Sequence, residues 1–292
     1  MPELEIKDKI ESETPLGIYK VKFKEYQNVS YLNQSSIKHY SKSPAHYYSN
    51  KKNPKEATAA MVEGRVWHTG ILEPETFFNE YAIQPKINKS TIIGKKALAE
   101  WLEEHHGKEP VTKELTDNIY QAHEQIHANP SLSPFLKGGH AELTFLTKDP
   151  FIDFYKKGML DYWHPDTNII IDLKTTRNCD IDSFSRDIQN MLYHVQAAWY
   201  CDQVKEATGR KVEAYAILAL EKTAPFSCRL FVLPEKVIEQ GRILYNRYLG
   251  IHKTCLENNK WPTFENLVVD FDPKPWFYNY ELPDYPQFEA QK

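Results

Sequence analysis

The run Gly158-Met159-Leu160-Asp161-Tyr162 is followed by Ile169-Ile170-Ile171-Asp172-Leu173-Lys174-Thr175-Thr176. Three consecutive isoleucines have the unbroken apolar character of a strand covered on both faces, which places 168–176 centrally in a sheet. Side chains along a strand repeat every two residues, so Asp172 and Lys174 share one face while Ile171 and Leu173 share the other. An acid and an amine directly after the isoleucines fall where burial is expected, and a buried charge is costly unless it is paired or holds a metal. The stretch 153–164 reads as the preceding strand, and its hairpin-like spacing brings Asp161 within reach. Two carboxylates converging on one point suit a hard cation, Mg2+ or Mn2+. A lysine beside them can orient or deprotonate a water, or stabilise developing negative charge. Taken alone, Asp172 and Lys174 also fit a buried pair that only fixes strand register.

Outward from this core, 141–147 alternates as a strand, and 212–221 and 227–234 read as two more. Asp182 and Ser183 are placed to cap one long helix running to Thr208, with Gly209 as its terminator. Residues 234–258 form a last long helix. Before the strands, 30–50 reads as a short helical segment with Pro44 opening a second turn, and 58–73 as a helix stopped by Pro74. Residues 84–97 read as a lysine-rich loop or arm, and 94–106 and 112–129 as helices. The order gives a mixed α/β (α+β) core, a central mixed sheet flanked by helices with extra helices at the N-terminal side. The expected division is an N-terminal segment 1–29, a main domain 30–260 and a tail 261–292.

Three features surround the Asp161–Asp172–Lys174 group. His68 lies on the 58–73 helix, four residues after Gly64, which leaves room for a close approach. Glu142 lies on the strand before Asp161; its ordinary alternative is a solvent-facing position. Gln189, Tyr193, Gln196 and Tyr200 form one polar-aromatic stripe of the 182–208 helix, beside the apolar stripe Ile188, Leu192, Val195 and Trp199. A competing motif is His123-Glu124-Gln125-Ile126-His127, whose H-E-x-x-H spacing is that of zinc metalloproteases. Pro130 ends that helix at once, its flanks are polar and no third ligand follows, so a solvated helical face is the simpler reading.

The 292 residues suffice for one core with additions, and 41 % are hydrophobic. No apolar run is long enough to span a membrane, and Met1–Ile10 carries no apolar leader core. Cys179, Cys201, Cys228 and Cys255 form no C-x-x-C pair, so free thiols in a reducing cytoplasm are expected. The net charge of −4 is uneven. The tail from Trp261 carries Glu265, Asp270, Asp272, Glu281, Asp284 and Glu289 against Lys274 and Lys292, which accounts for the whole −4. Lys51, Lys52 and Lys55, and Lys86, Lys89, Lys95 and Lys96, form basic clusters compatible with a nucleic-acid groove.

These residues, in this order, resemble the RecB-type branch of the PD-(D/E)xK nuclease superfamily: a helical histidine (His68), G-x-x-D (158–161), D-x-K (172–174) and Q-x-x-x-Y (Gln196 and Tyr200). The stretches 36–48, 64–77 and 193–200 extend the likeness to the RecE, or exonuclease VIII, family of prophages over roughly residues 30–260. The resemblance implies His68, Asp161, Asp172 and the Leu173 carbonyl as metal ligands. It places Glu142 at a second metal or a water, gives Lys174 the attacking water, and has Gln196, Tyr200 and Tyr193 supporting the site and contacting DNA. It further implies two Mg2+ ions, with Mn2+ substituting, and 5′-to-3′ double-stranded DNA exonuclease activity leaving 3′ single strands. A ring-shaped homo-oligomer and a RecT-like single-strand annealing partner complete the implied picture. An endonuclease, a CRISPR-associated nuclease (which would carry a cysteine cluster) and an inactive DNA-binding protein on the same fold are the alternatives.

Overall fold

The computed structural model describes residues 5–10, 15–264 and 272. In chain order the elements are β1 (Ile6–Lys7), β2 (Gly17–Tyr19), α1 (Phe23–Asn28), α2 (Gln34–Ile37), a 3-10 turn (Lys38–Ser41), α3 (Pro44–Lys52), α4 (Ala59–Leu72), α5 (Phe77–Glu80), β3 (Tyr81–Ile83), α6 (Ile92–Glu104), β4 (Glu109–Val111), α7 (Lys113–Ala128), a 3-10 turn (Ser133–Leu136), β5 (His140–Lys148), β6 (Tyr155–His164), β7 (Ile169–Thr176), α8 (Ile181–Asn190), α9 (Tyr193–Thr208), β8 (Ala214–Glu221), β9 (Cys228–Val232) and α10 (Glu235–Asn258). The main sheet runs β1-β2-β5-β6-β7-β8-β9, and β3 and β4 form a separate pair. Its pairings are antiparallel except β1 with β2 and β7 with β8. A parallel pair needs a crossover, and α8 and α9 supply it between β7 and β8.

Helices cover both faces. On one, α2, α3, α9 and α10 bury Ile37, Tyr47, Val195, Trp199 and Leu249 against Ile170, Tyr215 and Ile217. On the other, α4 and α7 bury Trp67, Ile71, Ile119 and Ile126 against Ile171, Leu173 and Leu218. The isoleucine run therefore sits centrally and is covered on both sides, as its composition requires. Caps follow local chemistry: Ser43 accepts from His46 N–H, Thr58 from Met61, Thr91 from Gly94 and Thr112 from Leu115.

Two expectations are corrected. The 182–208 stretch is two helices, not one: Leu192 adopts a left-handed conformation (φ 55°, ψ 40°) between α8 and α9. That conformation costs a residue with a Cβ about 1–2 kcal/mol. Here it turns the chain so that Leu192 and Tyr193 pack onto the sheet-facing core. The cap of α8 is Asp180, which accepts from Ser183 N–H at 2.9 Å; Asp182 and Ser183 lie in the first turn. The lysine-rich arm is also shorter than expected, because α6 already begins at Ile92. The short strands β1 to β4 escape a reading based on periodicity, being two or three residues each. Residues 265–271 and 273–292 of the acidic tail, and the N-terminal residues 1–4 and 11–14, lie outside the described residues.

The α10–α9 contact is tight enough to test. A Cβ on Gly241 would lie 2.0 Å from the backbone oxygen of His194, whereas one on Gly250 meets nothing within 4 Å. Gly241→Ala is expected to lower unfolding free energy by about 1–3 kcal/mol through overpacking against backbone. Gly250→Ala, in the same helix, is expected to raise it by about 0.5–1 kcal/mol. Urea denaturation of the two variants checks the pair, and equal effects would refute the packing described.

Candidate active site

The site begins where two strands part. The β6–β7 ladder pairs His164 with Ile169, Trp163 with Ile170 and Tyr162 with Ile171, and stops there. Leu173 is wholly buried, so its N–H needs a partner. Asp161 Oδ2 supplies it, accepting that N–H at 2.8 Å. A side-chain carboxylate thus occupies the position of a ladder bond.

Directly across β5, Glu142 has φ 50°, a left-handed conformation that is strained for glutamate. Its flanking pairs are Ala141 with Tyr162 and Leu143 with Leu160. Residues two apart on a strand normally share a face. Here Ala141 and Tyr162 join the α4–α7 layer, while Leu143 and Leu160 join the α9–α10 layer. The β5–β6 hairpin therefore changes sides at Glu142 and Asp161, which turns both acids into the gap.

Side chains enter the gap from both layers. From α4, His68 Nδ1 lies 3.6 Å from Glu142 Oε1 and 3.6 Å from Asp161 Oδ2. Ligand atoms of His68, Glu142 and Asp161 lie within 4.8 Å of one another, the group of that kind among the described residues. Glu142 thus stands beside His68 and Asp161, not at a solvent-facing position. On the α9 side, Asp172 is almost fully buried; it is ion-paired with Lys174 and accepts from Gln196 Nε2 at 2.8 Å. Lys174 Nζ also lies 5.3 Å from the Tyr193 ring centroid. Tyr200 packs on β6 at Gly158, where a Cβ would come within 2.8 Å of its ring and 2.1 Å of Gln203 Oε1. The glycine of G-x-x-D thus lets α9 close on the sheet beside Asp161. Gln203, fully buried and donating to the Phe145 carbonyl at 3.2 Å, anchors the same contact; its only sequence signal is its place seven residues after Gln196.

Other expectations fall differently. Gly64 leaves no close approach, since a Cβ there meets nothing within 4 Å; the tight glycine of α4 is Gly70, 2.3 Å from Ile119 Cγ2. Gln189 belongs to α8, so the polar stripe begins only at Tyr193. His123 and His127 stack on each other, centroids 4.1 Å apart, while Glu124 is exposed. No third ligand joins them among the described residues, because Ala122 and Ile126 turn the helix's inner face to α4 as apolar packing. A cleft of about 1100 Å³, lined by Ile83, Lys86, Lys89, Pro110, Lys113 and Gln121, shares no residue with the acidic site.

The charges are strongly coupled. Burial disfavours charge on His68, but Asp161 and Glu142 more than reverse this and raise it to about 9. Burial raises the Asp161 and Asp172 carboxyls against the opposing pull of His68 and Lys174. Burial works against the Lys174 ammonium too, yet Asp172 and Asp161 hold it protonated, above its usual range. Three acids and an imidazole around one gap form a hard donor set for a divalent cation, with no thiolate among them.

A mixed sheet with helices on both faces, a hairpin that parts at an aspartate and an Asp-x-Lys strand beside it define the PDDEXK class of fold. The family described as "PDDEXK-like domain of unknown function (DUF3799)" matches residues 33–266, and the chain belongs to it. No curated protein matches the sequence. Among solved structures, one from Eubacterium rectale, described as a candidate exonuclease, aligns with a TM-score of 0.55 at 14% identity over 90% of this chain and 99% of its own. A phage-related exonuclease from Haemophilus somnus aligns with a TM-score of 0.32 at 12% identity over 66% of this chain and 95% of its own, too loosely to bear on the fold. No helix among the described residues is long and apolar enough to cross a membrane.

As a metal ligand His68 would have to present neutral imidazole, so cation uptake would displace the proton that it holds up to about pH 9. Raising the pH from 6 toward 9 should therefore tighten Mn2+ binding, by at most about tenfold per unit. Above pH 9 the gain should cease. Calorimetric titration across this range checks it, and a pH-independent affinity would refute a ligand role for His68.

Proposed function

We propose that this chain is a divalent-metal-dependent DNA exonuclease that shortens duplex DNA from the 5′ end and leaves 3′ single strands. The observation that carries the hydrolytic reading is the gap between β6 and β7, where His68, Glu142 and Asp161 converge and Asp172 holds Lys174 beside them. The PDDEXK-like family supports a nuclease. The exonuclease task, its polarity and the link to strand annealing rest on the likeness to RecE.

In this reading His68, Asp161 and Asp172 would hold Mg2+, with the Leu173 carbonyl adding a ligand and Glu142 joining through a second ion or a water; Mn2+ would substitute. The bound cation would supply Lewis-acid charge and make a neighbouring water more acidic. Gln196 keeps Asp172 in one rotamer by donating to Oδ1. Asp172 and Asp161 keep Lys174 protonated, so its ammonium orients the attacking water and balances charge on the phosphorane-like transition state. Tyr193, half-buried at the rim, supports these groups where DNA would lie, whereas Tyr200 and Gln196 are buried and act as supports without the DNA contact expected of them.

Holding a duplex while one strand is hydrolysed would be met by a ring-shaped homo-oligomer whose channel is lined by the exposed Lys51, Lys52, Lys55, Lys86, Lys89, Lys95 and Lys96. The proposed partner is a RecT-like single-strand annealing protein in the cytoplasm.

Asp161→Ala and Asp172→Ala are each expected to abolish Mg2+-dependent cleavage while the chain stays folded, and Lys174→Ala to lower turnover by about 10² or more with duplex binding kept. His68→Ala should raise the metal concentration for half activity, whereas His127→Ala should not. Gel assays with circular dichroism read these outcomes; normal turnover by either aspartate variant sinks the site.

End choice is tested separately. Linear duplexes labelled at one end should lose a 5′ label first, and covalently closed circles should survive. Cleavage of circles would favour the endonuclease reading.

A further inference from the structure

Lys38 opens the 3-10 turn that follows α2. This turn lies within the helical layer that covers the α9 side of the sheet. Its Nζ lies 5.8 Å from the Tyr193 ring centroid, the ring that Lys174 Nζ approaches at 5.3 Å. One aromatic ring therefore carries two ammonium groups beside the acidic gap.

Their circumstances differ. Both oxygens of Asp172 are engaged, Oδ1 by Gln196 and Oδ2 by Lys174. Lys38 is left with no ion pair or hydrogen bond among the described residues, although it feels both Asp172 and Lys174. A half-buried ammonium with no counter-charge in contact is unfavourable, and an apolar side chain of similar length would pack there at less cost. Such a group is understandable where an anion arrives from outside. The carboxylates of Glu142, Asp161 and Asp172 outnumber the cations His68 and Lys174 by one, and a further cation at the rim offsets that remaining charge toward a phosphodiester.

We propose that Lys38, with the face of Tyr193 beneath it, is a phosphate-binding residue that receives a backbone phosphate of the substrate strand next to the site of hydrolysis. The assignment rests on the nuclease reading above but concerns binding, not the hydrolytic step. Burial, and the neighbouring Lys174, push Lys38 down to about 8, so it remains largely a cation at neutral pH. Lys174 is the ammonium bound to Asp172; Lys38 is the one available to the ligand.

The experiment is duplex binding in EDTA, read by fluorescence anisotropy over a salt series, for the wild-type chain, Lys38→Met and Lys38→Arg. Lys38→Met should weaken binding about tenfold at 0.1 M salt, the scale of one charge-assisted hydrogen bond. Its plot of log affinity against log salt should flatten by about 0.9, the share of one phosphate contact. Lys38→Arg should restore most of both. A 5′-phosphorylated and a 5′-hydroxyl duplex, run side by side, separate a terminal phosphate from an internal one. The melting temperature of DNA-free Lys38→Met should be unchanged or higher, because an unpaired charge has been removed; should Met fail to fold, Lys38→Gln takes its place. Wild-type affinity and salt slope in the neutral variant overturn the proposal, as does a fall in melting temperature that accounts for the weaker binding. Mg2+-dependent cleavage by the wild type is scored independently. A Lys38-dependent binding contribution without cleavage sinks the nuclease reading alone, cleavage without that contribution sinks this proposal alone, and absence of duplex binding sinks this proposal.

Discussion

The Leu173 N–H that points toward β6 is satisfied by the Asp161 carboxylate and not by a backbone carbonyl, and much of the site's geometry depends on that substitution. A backbone donor buried at the centre of a sheet cannot be left unpaired. Meeting it with a side chain lets the two strands separate beyond Tyr162 and Ile171 without an orphaned group. The same hydrogen bond orients the carboxylate toward His68. A single acid thus ends a ladder, opens a gap and fixes the direction of a ligand.

The gap is reached from both layers of the fold. One layer contributes His68 from α4; the other contributes Gln196, Tyr193 and Tyr200 from α9. The two layers are otherwise separate apolar cores, and the central sheet isolates them except where it parts. This explains why Glu142 adopts a left-handed conformation: the hairpin must change faces there to bring a second acid into the opening. Strain at that residue is offset by the well-packed strands on either side.

Electrostatically the site is a set of buried charges that neutralise one another in pairs. Asp172 with Lys174, and His68 with Asp161 and Glu142, leave little net charge in the protein without metal. Burial works against the imidazolium and the ammonium alike, and each is held by the carboxylates beside it. Exposed lysines cluster on and just after α3, on the arm and on α6, so a negative total charge coexists with local basic patches.

How far the sequence determines this arrangement depends on the range of each cause. The isoleucine run and the two-residue repeat put Asp172 and Lys174 on one face of a central strand, because both signals are local to eight residues. Capping serines and threonines, Pro44 and Gly209 likewise mark helix ends through contacts a few residues long. The left-handed turns at Glu142 and Leu192 are different: no local propensity asks a glutamate or a leucine to adopt them, and only packing on both sides compensates for their cost. The break at Leu192 in turn separates Gln189 from Tyr193, so a stripe read on one helix dissolves. Lys38 stands 155 residues from Tyr193; its stretch 36–48 carries part of the family likeness, but no spacing or periodicity there puts its side chain in the cleft. Residue types, strand pattern and the acidic chemistry are thus written in the sequence by itself. The parting of the sheet, the face change at Glu142 and the company that Lys38 keeps are decided by tertiary structure, because they arise only where distant segments must satisfy one another's buried polar groups.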